Sequence, residues 1–286
     1  YTRSFYTLEG HYANLWLYDR PLRTKPRSIQ LDAAIEITRQ RFRLPTKVQS
    51  ISFDNLASVP FISSSGAGWT YKGKKGDPGN HALAVNRAVG TLRSWEENQT
   101  SWRYTPDLAW TRTQLGTFES PKIRNVWGKS FHNLLLEGIT AYPLLHGYQD
   151  MPDSPIVTGI YIYKRLPVLI HNVLNTNDES NYGIGIDFKS FDSTPQPWLL
   201  NTAFDILEEN ISFTDSEGEA SYRFTKEFFI NTPIIMPDGR MWLKRLGIPS
   251  GSYFTQLIGS VINYIIITYI QLRIYGTPFK TYVLGD

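Results

Sequence analysis

The stretch Ile184-Gly185-Ile186-Asp187-Phe188-Lys189-Ser190-Phe191-Asp192 sets one carboxylate in an apolar run and a second just past it. Residues 184–188 read as a buried strand, which puts Asp187 at a strand end. A second apolar run, Phe279 to Leu284, leads into Gly285-Asp286 in the same way. If the strands are neighbours in one sheet, both carboxylates meet at one rim. Oxygen ligands fixed in that manner suit Mg²⁺, and paired divalent cations serve phosphoryl transfer. Taken alone, an Asp pair at this spacing is equally a capped turn.

Outward from this stretch the pattern alternates. Residues 195–210 predict a helix with Pro195 near its start and Leu199, Leu200, Phe204, Ile206 and Leu207 as its apolar residues. Residues 211–221 are polar and read as a loop. Residues 234–242 read as a hairpin turning at Asp238-Gly239. A helix over about 253–274 follows, broken at Gly276-Thr277-Pro278. Strand, helix, hairpin, helix and strand in that order make an α+β unit on an antiparallel sheet. Upstream, Ser28 caps a helix over 28–44 that Pro45 stops, and 61–79 is a loop. Helices are expected over about 80–97 and 130–142, the latter ended by Pro143; residues 158–174 stay open. The apolar stretch 254–272 has the length of a membrane span, but it carries Gln256, Ser260, Asn263, Thr268 and Gln271. It reads as a buried helix of a soluble core, and no membrane partner is expected.

Three further patterns bear on chemistry. Ser250-Gly251, behind Pro249, opens the long helix; small residues there let a nucleic acid approach, and a helix start favours phosphate. Gln256, Ser260 and Asn263, with Thr255 alongside, lay a polar track on that helix; satisfied core polar groups would look the same. Residues 121–129 place Lys122 and Arg124 on one face of an expected strand, where they suit a triphosphate or merely an exposed edge. The loop from Ser63 through Ser65-Gly66-Ala67-Gly68 to Lys75 joins small residues to cations, and suits template phosphates or solvent.

The 286 residues contain no Cys, which excludes thiol catalysis and disulfides, and the five His are scattered. Residues 1–130 hold 19 Lys+Arg against 10 Asp+Glu, whereas 131–286 hold 10 against 16. A basic first part and an acidic second part suit a grip on a polyanion and a seat for cations. Beginning at Tyr1 and ending at Gly285-Asp286, the chain reads as part of a longer protein.

In this order the motifs resemble those of viral RNA-dependent RNA polymerases over roughly residues 60–286. Residues 247–260 (Gly-Ile-Pro-Ser-Gly-Ser-Tyr-Phe-Thr-Gln-Leu-Ile-Gly-Ser) are similar to the polymerases of partitiviruses, double-stranded RNA viruses of fungi and plants. Arg124-Asn125-Val126-Trp127-Gly128 and Ser65-Gly66-Ala67-Gly68 point the same way.

The resemblance implies a right-hand polymerase with fingers and a partial palm, the thumb missing. Residues 1–180 would be an N-terminal extension and fingers, 181–194 palm, 195–232 a fingers insertion and 233–286 truncated palm. It implies Asp187 and Asp286 as catalytic ligands of Mg²⁺, with Mn²⁺ as substitute. Asp192, Thr255 and Asn263 would select ribose; Lys122 and Arg124 would bind the nucleoside triphosphate. Ser250, Gly251, Ser65 and Gly66 would touch template or nucleotide. Gly259 departs from the Asn that many relatives carry directly before the serine. Implied partners are RNA template, nascent RNA, ribonucleoside triphosphates and a viral capsid protein, in host cytoplasm within virus particles. Without a thumb, the chain alone is expected to be inactive. The competing readings are a reverse transcriptase-like polymerase, which favours a bulky residue where Asp192 stands, and a non-catalytic RNA-binding particle protein.

Overall fold

The computed structural model describes residues 2–98, 104–117, 123–159, 162–174 and 183–285. In chain order the elements are β1 (Thr2–Arg3), α1 (Leu8–Leu15), α2 (Ile29–Arg41), β2 (Val48–Gln49), α3 (Asn80–Asn98), β3 (Asp107–Thr113), β4 (Leu115–Gly116) and β5 (Ile123–Gly128). Then come α4 (Phe131–Asp150), α5 (Ile162–Leu174), α6 (Pro197–Glu208), β6 (Ile211–Ser212), α7 (Ser216–Ile230), β7 (Thr232–Ile235), β8 (Met241–Lys244) and α8 (Thr255–Tyr275).

Helix α2 forms where its cap and periodicity placed it. The Ser28 hydroxyl accepts the Leu31 N–H, Asp32 lies in the first turn and Arg39 and Arg41 in the last, matching the helix dipole. Its buried face meets α8, and Phe42 is inserted edge-on between Tyr148 and Tyr264. Helix α8 is long and apolar enough to cross a bilayer, and in this fold residues 257–265 are buried in the main core. That core also takes Phe204, Tyr222, Phe229 and Phe254, whose rings meet at 5.2–5.8 Å. A second core lies among α3, α4 and α7.

Helix α4 runs on past Pro143, where the sequence predicted its end. Proline removes the hydrogen bond to the carbonyl four residues back, that of Ile139. The Ile51 N–H donates to this carbonyl at 3.0 Å, so the helix continues without an orphan acceptor. Helix α7 likewise replaces part of the loop expected over 211–221. Asp215 caps it, accepting the Gly218 N–H at 2.7 Å, and Glu217 and Glu219 sit in its first turn. Residues 162–174, left open above, are helical.

The four-stranded sheet has the order β5-β3-β7-β8. Both outer pairs are antiparallel, as expected, but β3 and β7 run parallel, with Leu108 opposite Ile235. The hairpin at Asp238-Gly239 therefore joins the basic strand β5 in one sheet. Beneath it Leu15, Tyr18, Trp127, Ile234 and Met236 form a small core of their own.

The strand expected over 184–188 does not form, and the run is far from buried: Ile184 is 78% and Ile186 46% exposed. A strand exists only against a partner, and Gly185 has nothing within 4 Å of where a side chain would begin. Residues 279–284 make a single bridge, Val283 with Ile156. The two runs thus do not lie in one ladder, contrary to the sequence expectation.

Candidate active site

Asp192 sits in the single helical turn Phe191–Ser193, which Phe191 anchors in the main core. The Ser250 hydroxyl donates to Asp192 Oδ2 at 2.7 Å, and the Ile248 N–H to the Asp192 carbonyl at 2.6 Å. The serine's own carbonyl turns the other way and accepts the Trp127 N–H at the end of β5, at 2.7 Å. Gly251 follows with φ +137°, and an added Cβ would stand 2.3 Å from the Trp127 carbonyl oxygen. Glycine is required here both for conformation and for space. Thr255 Oγ1 donates to the Pro249 carbonyl at 3.0 Å and lies 3.4 Å from the Gly251 nitrogen, so it tightens the same loop.

Tyr18 backs this joint. Its hydroxyl donates to the Ile248 carbonyl at 3.2 Å and its ring meets Trp127 edge-on. Burial, reinforced by the negative charge of Asp192, pushes its phenol far above the usual range.

On the far side of the loop lies a buried ionic network. Lys129 Nζ stands 2.8 Å from Glu137 Oε1 and 3.8 Å from Asp107 Oδ2. Glu137 Oε2 in turn accepts the Ser252 hydroxyl at 2.9 Å and the Tyr253 N–H at 3.0 Å. Burial pushes the Asp107 carboxyl up to about 6, against the pull of Lys129. Burial also acts to lower the Lys129 pKa, but Asp107 and Glu137 outweigh it and hold the ammonium above its ordinary value. Lys244, fully buried, donates to the carbonyls of Phe229, Ile230 and Gly247, and burial holds its pKa well down.

The loop of small residues closes a cleft of about 1040 Å³ against β3, β5 and Gly251-Ser252-Tyr253. Ser65, Gly66 and Gly251 all line it, together with the exposed Trp69 and Trp110 and the buried Trp127. Lys75, read above as facing a polyanion, is turned inward at 8% exposure. It donates to Ser65 Oγ at 2.7 Å and to the Gly66 carbonyl at 2.9 Å, so its charge stiffens the loop. Lys72 and Lys74 stay exposed. Arg124 is exposed on β5, directly opposite Arg112 on β3. Like charges facing across a ladder repel each other and favour an anion between or above them. Sequence reasoning missed Arg112, although alternation along 107–113 was available to place it. Lys122 and Asp286 lie outside the described residues.

The polar track on α8 spends itself on the chain's last turn. Asn263 Nδ2 donates to the Gly285 carbonyl at 3.0 Å, and the Gly285 N–H donates to Ser260 Oγ at 2.8 Å. Asp187 is exposed and makes no ion pair among the described residues. Its free carboxylate fits a hard divalent cation in kind. Among the described residues no group of three or more His, Asp or Glu comes together.

The loop before α8 thus joins the Asp192 turn to the sheet that carries Arg112 and Arg124, beside the cleft, and this architecture is that of right-hand polymerases. The Sicinivirus 3Dpol RNA-dependent RNA polymerase shares the fold, with a TM-score of 0.73 over 93% of this chain and 58% of that one, at 12% identity. The family model described as viral RNA-dependent RNA polymerase matches residues 1–280, and the chain belongs to that family. Among its relatives is the RNA-directed RNA polymerase of Cryptosporidium parvum virus 1 (strain KSU-1), 43% identical over 88 residues, 31% of this chain. Another is the RNA-directed RNA polymerase of White clover cryptic virus 1 (isolate Boccardo/2004), 39% identical over 195 residues, 60% of this chain. The chain spans 16% and 32% of these two relatives' own lengths.

Proposed function

We propose that this chain forms the fingers and part of the palm of an RNA-directed RNA polymerase that replicates and transcribes a viral RNA genome. One observation carries the reading. Motifs at 187–192, 250–263 and 285–286, far apart in sequence, are tied by direct hydrogen bonds through a single loop and helix: Asp192 to Ser250, and Ser260 and Asn263 to Gly285. Trp127 ties the same loop to the basic strands.

In this reading Asp187 and Asp286 would hold Mg²⁺, or Mn²⁺ in its place, which when bound would supply positive charge at the α-phosphate and acidify the 3′-hydroxyl. The 3′-oxygen, its proton passed to water, would bond to the α-phosphorus of a ribonucleoside triphosphate as the bond from that phosphorus to the bridging oxygen breaks and pyrophosphate leaves. Arg124 and Lys122, joined by Arg112, bind the triphosphate. Asp192, poised by Ser250, reads the ribose hydroxyl, with Thr255 beside it. The cleft bordered by Ser65, Gly66 and Gly251 receives template, and the exposed indoles of Trp69 and Trp110 suit base stacking. The division into 1–180, 181–194, 195–232 and 233–286 follows the same assignment. Template, nascent RNA and a viral capsid protein are the partners, and virus particles in host cytoplasm the setting.

The test is Mg²⁺-dependent incorporation of labelled ribonucleotides on an RNA template by the protein at its full natural length. Asp187→Ala is expected to abolish synthesis and leave RNA binding largely intact. Near-normal synthesis by the variant overturns the assignment. Preference for deoxyribonucleotides would favour the reverse transcriptase-like reading, and RNA binding without any synthesis the particle-protein reading.

A further inference from the structure

Ser260 and Asn263 of α8 meet a backbone, not an open pocket. Both backbone polar groups of Gly285 are taken by that helix: the N–H by Ser260 Oγ at 2.8 Å and the carbonyl by Asn263 Nδ2 at 3.0 Å. Only the amide's NH₂ can pair with a carbonyl, so this contact fixes which way the Asn263 side chain points. Ser260 is fully buried and Asn263 nearly so. Gly285 has φ +70°, a left-handed conformation that favours glycine. Gly259, one position before Ser260, faces the same residue, and a Cβ there would stand 3.2 Å from Gly285 Cα. Two residues upstream, Val283 is fixed from the other side: its N–H donates to Pro155 O and its carbonyl accepts the Val157 N–H, each at 2.9 Å. The segment entering Asp286 is thus held on both flanks, and the Gly259 departure provides the space that lets it dock.

We infer that Ser260 and Asn263 are positioning residues for the Asp286 carboxylate, and that Gly259 is small to admit the Gly285 turn. This rests on reading Asp286 as a metal ligand, and it gives Asn263 a task other than sensing the sugar. Loss of either hydrogen bond loosens the turn and weakens cation binding, while the choice between ribose and deoxyribose stays with other groups.

The experiment is a Mn²⁺ titration of the protein at its full natural length, followed by loss of the free-ion electron paramagnetic resonance signal. Wild type is compared with Ser260→Ala, Asn263→Leu, Gly259→Ala and Ser260→Thr, with Asp187→Asn as the reference for a lost ligand and circular dichroism as the folding control. Ser260→Ala and Asn263→Leu are expected to raise the Mn²⁺ Kd about five- to tenfold, the equivalent of one lost hydrogen bond. Gly259→Ala should weaken binding in the same direction, and Ser260→Thr, which keeps the hydroxyl, should stay near wild type. In incorporation assays the same variants should need more Mg²⁺ with unchanged ribose discrimination. Unchanged Mn²⁺ affinity with altered sugar discrimination in Asn263→Leu overturns the inference and restores the sugar-reading role. A Ser260→Thr protein as weak as Ser260→Ala also overturns it, since packing alone would then be at work. Failure of wild type itself to bind Mn²⁺, or indifference to Asp187→Asn, overturns the metal site and this inference with it.

Discussion

Gly251→Ala strikes the joint between the acidic turn and the basic strands. A residue with a side chain at φ +137° costs about 1–3 kcal/mol in backbone strain alone. The new Cβ would lie 2.3 Å from the Trp127 carbonyl oxygen, and main chain cannot swing aside as a flexible side chain can. Relief requires the loop to lift, which stretches the 2.7 Å bond from the Trp127 N–H to the Ser250 carbonyl. Losing that bond costs about 1 kcal/mol. A loss of about 2–4 kcal/mol in all is expected, a large part of the ~5–15 kcal/mol typical of a folded domain. The assay is urea unfolding, paired with amide exchange at Trp127. Gly90→Ala serves as the opposite case. Gly90 is exposed within α3 with nothing within 4 Å of its added Cβ, so that variant should gain about 0.5–1 kcal/mol. A Gly251→Ala protein within 1 kcal/mol of wild type, with the Trp127 amide still protected, would refute the reasoning.

Lys129→Ala leaves the buried carboxylates of Asp107 and Glu137 facing each other without a cation; a loss of about 3–5 kcal/mol is expected on denaturant unfolding. Stability against pH should carry two opposed slopes. The Asp107 pKa is raised to about 6, so its contribution is full below about 3.8 and is lost as pH rises through 6. That of His132 is depressed to about 4 by burial, so its contribution is present above 6.5 and is lost as pH falls toward 4. Asp107→Asn should steepen the acid-side loss of melting temperature, and His132→Phe should flatten it. Arg112→Ala and Arg124→Ala should each raise KM for ribonucleoside triphosphate about tenfold, on the scale of a charged hydrogen bond, with little change in melting temperature; an unchanged KM for Arg112→Ala removes it from the site.

Local signals were legible where local physics decides. The Ser28 cap and the Leu31-Ala34-Ile35-Thr38 stripe gave α2, and the apolar spacing gave α6 and α8. Asp215 with Glu217 and Glu219 is an equally local start signal for α7, passed over because the residues around it are polar. Helix α4 could not be read across Pro143, because its rescue comes from Ile51, remote in sequence. The apolar run at 184–188 has strand composition, but pairing is a property of two segments, and no sequence window contains the second. At the site, motif order named Asp192, Ser250 and Asn263, while their bonds had to be seen: Ser250 facing two ways, Asn263 turned to Gly285, Lys75 folded under its own loop. Alternation along 107–113 could put Arg112 on one face, but only the register of β3 with β5 sets it opposite Arg124.

Tyr18 and Ile248, joined by a hydrogen bond, are 230 positions apart. Contacts of such span form late, since the entropy of closing a long loop must be met before they contribute. During synthesis the helices α2, α3 and α4 can form as they emerge, yet the Ser250 loop has no seat until Trp127 and Tyr18 wait for it and no function until α8 follows. Arg112 and Arg124, the residues proposed to grip a polyanion, are thus synthesised well before the loop that ties their sheet to the Asp192 turn.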